Sequence, residues 1–116
     1  MQYQIDHDPI EGGHLIVASG ELDMSATPRL STVLAMACAR PGGRLVLDLS
    51  EVAFIDSTAL GTILKAAAQL DEAGTNLAVV VPEGPVRRLL TVTNLTQRFR
   101  MFATRDAALA ADGAAA

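Results

Sequence analysis

The chain has 116 residues, of which half are hydrophobic but only 3% are aromatic. This length is enough for one domain with one buried core, and the composition means that Leu, Val, Ile and Ala must build that core. The formal net charge of −4 argues against nucleic acid or an anionic membrane surface as the main partner. Cys38 is the only cysteine, which excludes an internal disulfide and a cysteine metal site.

The N-terminus predicts neither a secretory signal nor membrane insertion. Its first residues, MQYQIDHDP, have no basic start and no apolar run. The longest purely apolar strand-like run, LAVVV, is far too short to cross a bilayer. We therefore expect a soluble, cytoplasmic protein.

The first third of the chain predicts a β-hairpin followed by a helix. Residues 3–7 and 14–19 are typical of strands, and DPIEGG between them has the Pro and Gly-Gly of a hairpin connection. In the next segment Ser25 is predicted to cap a helix, with Pro28 in its first turn and residues 41–43 (Pro-Gly-Gly) ending it. The apolar residues at helical spacing are Leu30, Val33, Leu34 and Ala37.

Two apolar runs in the middle of the chain predict buried strands. Residues 44–50 (RLVLDLS) and 76–82 (NLAVVVP) are apolar almost throughout, as expected of strands that are buried on both faces of a sheet. A helix lies between them and ends at Gly74. Its predicted buried stripe consists of Leu60, Ile63, Leu64, Ala67 and Leu70.

The last third predicts a short helix, a weak strand and a closing helix. Pro85 begins the short helix and Asn94 is its predicted last residue. Residues 99–102 (FRMF) form the strand, and Thr104 caps the closing helix. The apolar residues of the short helix are Val86, Leu89 and Leu90.

The predicted order of elements is therefore ββαβαβαβα. Strands separated by helices of this length pair in parallel through right-handed crossovers, here after an antiparallel N-terminal hairpin. The sequence thus predicts a single α/β domain over residues 1–116, with a mixed sheet of about five strands and about four helices. The tail at about residues 113–116 is expected to be disordered.

Two polar segments precede helices at the carboxyl ends of predicted strands, where the functional loops of such sheets gather. They are GELDMSAT (20–27) and FIDSTAL (54–60). In the second segment, Asp56 or Ser57 as a helix N-cap would contribute about 1 kcal/mol to stability. A cap does not explain why Thr58 is also polar between apolar flanks. From these residues alone, a helix cap and a functional site are equally supported.

The residues give little support to catalysis. A serine hydrolase would place Ser57 on a Gly-x-Ser-x-Gly elbow near a histidine base, but here its flanks are Ile55 and Ala59. The only histidines, His7 and His14, lie at the ends of the predicted hairpin strands. We see no metal-ligand cluster and no glycine-rich phosphate loop in the sequence. We therefore predict no catalytic residues, no metal and no cofactor.

Three segments carry a family resemblance that extends in register from about Tyr3 to Leu109: GELDMSATPRL, LVLDLSEVAFIDSTALGTIL and LAVVVPEGPVRRLLTVTNL. Together they resemble the STAS domain, specifically the bacterial anti-sigma factor antagonists. The family's Asp-Ser-Ser/Thr-Gly-Leu pattern is met by Asp56, Ser57, Thr58 and Leu60. Its Gly-Glu-Leu/Ile-Asp pattern is met by Gly20, Glu21, Leu22 and Asp23. Ala59 replaces the usual glycine, and its methyl group is expected to crowd a partner that approaches closely.

The resemblance implies a regulatory mechanism. The unmodified protein binds an anti-sigma factor that is also a serine kinase of the histidine-kinase-like ATPase type, and the sigma factor is released. The kinase then phosphorylates the serine after the motif aspartate, here Ser57, and binding ends. A manganese- or magnesium-dependent PP2C-type phosphatase restores the protein, so ATP and metal belong to the partners and this chain needs no cofactor. The implied partner-binding residues are Asp23, Met24, Ser25, Thr27, Asp56, Ser57, Thr58 and Ala59.

Other binding modules remain open. The chain could be a STAS component of a stress-signalling scaffold or a lipid-transport complex, in which the serine need not be modified, or a purely structural interaction module. A weak homodimer is also left open. The anti-sigma role requires Asp23 and Ser57 to lie at one end of the sheet, with Cα atoms within about 15 Å, so that one interface uses both.

Overall fold

The computed structural model describes residues 2–39, 43–75, 77–93 and 98–111. Within these ranges the elements follow the predicted order ββαβαβαβα, which is thereby confirmed. The elements are β1 (Tyr3–Ile10), β2 (Gly13–Leu22), α1 (Thr27–Cys38), β3 (Arg44–Ile55), α2 (Ser57–Glu72), β4 (Leu77–Val80), α3 (Pro85–Val92), β5 (Arg100–Phe102) and α4 (Arg105–Ala110).

The strands form one sheet in the order β1-β2-β3-β4-β5. β1 and β2 are antiparallel, whereas β2, β3, β4 and β5 pair in parallel with their neighbours. Each parallel pair is joined by a helix that returns the chain to the start of the next strand. The mixed sheet with an antiparallel N-terminal hairpin is confirmed.

A hydrophobic core lies on each face of the sheet. Buried residues of α1, α2 and α3 pack against one face, and Ala108 of α4 packs against the other. Successive residues of β3 alternate between the two cores: Leu45 and Leu47 belong to the first, and Val46 belongs to the second. This explains why the start of β3 is apolar almost throughout, as a strand buried on both faces requires.

The hairpin strands are longer than predicted. They are joined by a two-residue turn at Glu11 and Gly12, so that Pro9, which was predicted to lie in the connection, belongs to β1. Pro9 has no backbone N–H to donate to a neighbouring strand. It is tolerated there because β1 is an edge strand, and no strand on its free side needs that hydrogen bond. Pro9 and the acidic residues Asp6 and Asp8 also disfavour pairing of this edge with another strand, including that of a second copy.

Most of the predicted helix ends are confirmed. Gly74 follows α2 with a φ of 83°, and Pro85 begins α3. Thr104 caps α4, since its hydroxyl oxygen accepts a hydrogen bond from the backbone N–H of Ala107 at 3.2 Å. The predicted Ser25 cap is wrong: the N-cap of α1 is Ala26, which makes no side-chain capping bond.

The predicted stop at residues 41 and 42, the predicted end of the short helix at Asn94 and the tail at 113–116 lie outside the described residues.

A buried carboxylate ties α4 to the centre of the sheet. Asp48 of β3 is only 1% exposed, and its Oδ2 lies 2.6 Å from Nε of Arg105 at the start of α4. Its Oδ1 accepts hydrogen bonds from the backbone N–H and the hydroxyl of Ser50 at 2.9 and 2.6 Å. Burial by itself raises the pKa of Asp48, but the bonds from Ser50 and Arg105 outweigh it and hold the pKa below its ordinary value.

Asp48→Asn is expected to lower the free energy of unfolding at pH 7 by about 1–3 kcal/mol, since hydrogen bonds to a charged group are lost. Because the pKa of Asp48 is lower in the folded state, its contribution is present above the unfolded pKa of about 3.9 and disappears as the pH falls through the folded value. Urea unfolding at pH 7 and pH 3 should therefore show that the difference from wild type shrinks in acid. Asp71→Asn, at an exposed position, is the control. A loss that is equal at both pH values would contradict the assignment.

Candidate functional site

The end of the β2–β3 pair brings the two polar segments together. Leu22 and Ile55 are register partners at the end of these parallel strands, and the N–H of Asp56 donates to the carbonyl oxygen of Leu22 at 3.0 Å. Asp23 and Asp56 therefore leave the sheet side by side. As predicted, the segments meet at the carboxyl ends of their strands, and each leads into a helix.

Gly20 shapes the approach to the first segment. Its φ is 86°, and a Cβ atom at this position would lie 2.2 Å from the carbonyl oxygen of Gln2. Only glycine fits both the backbone conformation and the close approach. The pairing of β2 with β3 is irregular between Gly20 and Glu21, so the glycine is part of the bend that directs Asp23 toward Asp56.

Asp56 is the N-cap of α2. The sequence left open whether Asp56 or Ser57 is the cap, and the structure assigns it to Asp56. Its Oδ1 accepts hydrogen bonds from the N–H of Ala59 at 3.0 Å and from the hydroxyl of Thr58 at 2.7 Å. These two bonds hold the pKa of Asp56 below its ordinary value, and the nearby charge of Asp23 opposes this only in part. Ser57 is thus the first residue of α2 and not its cap.

Asp23 forms a similar local arrangement. Its Oδ1 accepts hydrogen bonds from the hydroxyl and from the backbone N–H of Ser25. The bond from the Ser25 hydroxyl is the main reason that the pKa of Asp23 is lowered. The two segments are also joined directly, because the hydroxyl of Thr27 donates to Oγ1 of Thr58 at 3.3 Å. At neutral pH the site therefore carries two neighbouring carboxylates.

The hydroxyl groups of the site differ in how they are used. Those of Ser25 and Thr58 donate to the aspartates, and that of Thr27 donates to Thr58. Ser57 is exposed, and its hydroxyl has no hydrogen-bond partner among the described residues. Ser57 is therefore the residue of the site whose hydroxyl is both exposed and not donated to a neighbour in the described part of the chain.

The family model of the STAS domain matches residues 6–108, which is most of the chain. The chain belongs to the STAS domain family.

Solved structures of other proteins share the fold of this STAS domain. It is similar to an anti-sigma factor antagonist from Mycobacterium paratuberculosis, with 29% sequence identity, a TM-score of 0.85 and coverage of 93% of this chain and 92% of the other. It is also similar to a putative anti-sigma factor antagonist from Thermotoga maritima, with 22% identity, a TM-score of 0.79 and coverage of 90% and 91%. The phosphorylated form of the Bacillus cell fate determinant SpoIIAA matches with 18% identity, a TM-score of 0.67 and coverage of 93% and 96%.

The predicted partner-binding residues of this STAS domain differ in exposure. Met24 is 71% exposed, whereas Ala59 is fully buried in the main core. The methyl group of Ala59 therefore packs inward and does not crowd an approaching partner, which corrects the sequence-based expectation. Only the backbone N–H of Ala59 takes part in the site, as a donor to Asp56.

Phe54 is a site residue that sequence reasoning missed. It lies two residues before Asp56, is paired with Glu21 on the neighbouring strand, and is 44% exposed. The sequence did contain a signal that Phe54 is exposed. Ser50 and Glu51 are polar, and they mark the point beyond which β3 is no longer covered on both faces. Phe54 and Met24 add exposed apolar surface beside the two aspartates.

The histidines do not belong to this site. Nε2 of His7 lies 2.7 Å from Nδ1 of His14, in the hairpin. His14 is near the start of β2 and Asp23 follows its end, so roughly 25 Å of strand separates them. No group of three His, Cys, Asp or Glu side chains in the described part of the chain could hold a metal. Among the described helices, none is long and apolar enough to cross a membrane.

Proposed function

We propose that this protein is an anti-sigma factor antagonist whose binding is switched off by phosphorylation of Ser57. In its unmodified form it binds an anti-sigma factor that is also a serine kinase of the histidine-kinase-like ATPase type, and the sigma factor is released. One observation carries the proposal: the hydroxyl of Ser57 is exposed beside the Asp56 cap and has no hydrogen-bond partner in the described part of the chain. The 29% identity to the Mycobacterium paratuberculosis antagonist supports it.

The hydrogen bonds of the site favour Ser57 over its neighbours as the phosphate acceptor. The hydroxyls of Ser25 and Thr58 are donated to Asp23 and Asp56, so a kinase would have to break these bonds before reaching either oxygen. The Ser57 hydroxyl is exposed and can be aligned with a bound nucleotide at no such cost. Ser57 is therefore the proposed acceptor, and Thr58 holds the two segments together.

The fold tolerates a phosphate at Ser57. A negative group at a helix N-terminus meets free N–H groups and the positive end of the helix dipole, which contributes roughly 0.3–1 kcal/mol. The same phosphate adds about −1.5 to −2 charges next to Asp56, and this disfavours a close interface. The existence of a phosphorylated form of SpoIIAA, a protein of the same fold, supports this reasoning. Modification thus weakens binding without unfolding the domain.

The remaining components follow from this role. A PP2C-type phosphatase, dependent on manganese or magnesium, would remove the phosphate and restore binding. ATP belongs to the kinase and the metal to the phosphatase, so the chain acts as a binding protein without a cofactor of its own. The proposed place of action is the cytoplasm, where sigma factors meet RNA polymerase.

Affinity capture and phosphate mapping test the proposal. The immobilised wild-type protein is expected to capture a kinase-like ATPase from a lysate of its host, and incubation with ATP should place phosphate on Ser57. Thr58→Val is the matched control, since it removes the neighbouring hydroxyl and should still be phosphorylated. Phosphate on Thr58, or capture of a transporter ATPase with no phosphate on the chain, would overturn the proposal.

A further inference from the structure

The second core leaves the end of β3 open on its face of the sheet. Ala108 of α4 packs with Leu15 and Val46, near the starts of β2 and β3, and with Val80. β4 also stops short, since it pairs with β3 only over the Leu45–Asp48 part. No described residue of β3 after this part belongs to the second core. The end of a strand at the centre of the sheet is therefore uncovered on one face, although parallel strands are ordinarily covered on both.

Phe54 lies on this open face beside two carboxylates. It is the register partner of Glu21 on β2, and Glu51 is the partner of Ser19, two residues earlier on β2. Register partners project from the same face, whereas Val52 belongs to the main core on the other face. Neighbouring strands are about 4.8 Å apart and two residues span about 6.6 Å. One side chain bound at Phe54 can therefore reach both carboxylates.

The carboxylates of this open face have no cation of their own. The side chains of Glu21 and Glu51 form no ion pair or hydrogen bond in the described part of the chain. Asp6 of β1 is on the same face, and it likewise forms no ion pair with a described residue. Arg105 of α4, which packs on this face, is bound to Asp48. A complementary partner must therefore bring positive charge.

An aromatic ring flanked by carboxylates suits an arginine side chain. The planar guanidinium stacks on aromatic faces, is more weakly hydrated than an ammonium, and forms paired hydrogen bonds with a carboxylate. Phe54 is 44% exposed, so its ring is available in the free protein. A metal ion fits less well, because no described group of three His, Cys, Asp or Glu side chains could hold one. A second copy docked face to face would bring like charges together.

We propose that the Phe54 surface, formed by Glu21, Glu51 and Phe54, binds an arginine of the kinase partner; the inference rests on the function proposed above. The guanidinium stacks on the ring of Phe54 and pairs with the glutamates. The surface adjoins the proposed acceptor, because Phe54 is three residues before Ser57 and their Cα atoms are at most about 11 Å apart. One partner can therefore cover the acceptor and the Phe54 surface together.

Substitution of Phe54 tests the stacking contact. Phe54→Ala is expected to weaken kinase binding at least about tenfold and Phe54→Leu about fivefold, because leucine keeps apolar bulk but has no aromatic face. Phe54→Trp keeps the aromatic face and should bind within about twofold of wild type. Met36→Ala is the matched control, since its side chain is 59% exposed near the end of α1, on the other face of the sheet. Circular dichroism checks that each variant is folded.

Removal of single charges tests the ion pairs. Glu51→Gln is expected to weaken kinase binding about fivefold at low salt, and the effect should shrink as salt is added. Glu72→Gln makes the same change at an exposed position at the far end of α2 and should bind within about twofold of wild type. An equal loss for both variants would mean that only the net charge matters, and it would overturn the assigned ion pairs.

A short peptide tests the chemistry without the kinase. In an NMR titration of the isotope-labelled protein, acetylated Ala-Arg-Ala amide should shift the backbone amide signals of Glu21, Glu51 and Phe54 more than the corresponding lysine peptide does. Phe54→Ala should abolish the difference between the two peptides. Equal shifts with both peptides, or shifts confined to other residues, would overturn the assignment to arginine.

The outcomes separate this inference from the proposed function. Equal kinase affinity of Phe54→Ala and Met36→Ala, with Ser57→Asp still weakened, would overturn only the Phe54 surface. Failure of the wild-type protein to bind any kinase would overturn the proposed function and the identity of the partner, while the peptide titration still decides whether the surface takes an arginine. Sedimentation of the protein alone checks the other occupant: a dimer that Phe54→Ala dissociates would assign the surface to a second copy and overturn the proposal.

Discussion

Ser57→Asp is expected to weaken binding to the anti-sigma kinase about tenfold to thirtyfold, whereas Ser57→Ala should leave it within about twofold. The two variants differ in charge at one side chain. Alanine removes an exposed hydroxyl that has no hydrogen-bond partner among the described residues, so nothing within the site is lost. Aspartate adds a further carboxylate next to Asp56, which is already ionised at neutral pH.

The expected size follows from the change in screening when the partner binds. Two unit charges about 6 Å apart repel by about 0.7 kcal/mol in water and by about 3 kcal/mol at an effective dielectric constant near 20. When binding removes water from between the charges, their repulsion therefore rises by about 2 kcal/mol per added charge. About 1.4 kcal/mol corresponds to a factor of ten in affinity. Salt reduces the effect for the carboxylate. Phosphate carries about −1.5 to −2 charges and should exceed a hundredfold.

The measurement is a titration of the purified kinase with each variant, with and without ATP. Ser57→Ala should remain bound in the presence of ATP, whereas the wild-type protein should be released as phosphate accumulates. Circular dichroism serves as the control, because both variants should keep the wild-type spectrum and differ in Tm by only a few degrees. Equal affinities of the two variants would show that Ser57 is only the first residue of a helix.

Ile63→Ala is expected to lower the free energy of unfolding by about 2–5 kcal/mol. Ile63 is 1% exposed and lies in the main core between α2 and the sheet. Removing its side chain loses buried apolar surface and leaves a cavity that the surrounding β3 and β4 residues cannot fill without moving. Ser57→Ala on the same helix should cost less than about 0.5 kcal/mol, since it is exposed and is not the cap.

Leu64→Ala is the matched control for this prediction. Leu64 is the next residue, its side chain has the same number of carbon atoms as isoleucine, and it was predicted to belong to the buried stripe. The structure shows that it is only partly buried at the edge of the core, so the expected cost is about 1–2 kcal/mol. Urea unfolding of both variants measures the difference. A larger loss for Leu64→Ala would mean that the core-facing side of α2 has been assigned wrongly.

The sequence by itself determined the elements and their order. Helical spacing of Leu30, Val33 and Leu34 predicted α1, and a run of apolar residues from Leu45 predicted a strand with both faces covered; each is observed. These patterns are local, because the burial of one face sets the period of the sequence. Glycine and proline marked the ends for an equally local reason, since they restrict or extend the backbone angles of single residues.

The tertiary structure alone decided how the polar residues share their hydrogen bonds. The sequence placed Asp56, Ser57 and Thr58 before a helix but could not assign the cap. Register pairing of Leu22 with Ile55 brings Asp23 beside Asp56, and the local geometry gives the cap to Asp56. The first of these depends on contacts between residues far apart in the chain, and the second depends on backbone geometry at the start of α2; the periodicity of the sequence encodes neither.

The three-dimensional placement of side chains also explains the remaining differences. Ser25 was predicted to cap α1, but its hydroxyl is bound to Asp23 instead. Ala59 was expected to face a partner and is buried, whereas Phe54, which the sequence analysis did not single out, is exposed. Whether an apolar side chain is covered depends on which helix lies above its strand, and α4 is too short to cover the whole second face. The exposed hydroxyl of Ser57 is likewise a result of packing, because its neighbours have partners and it has none among the described residues.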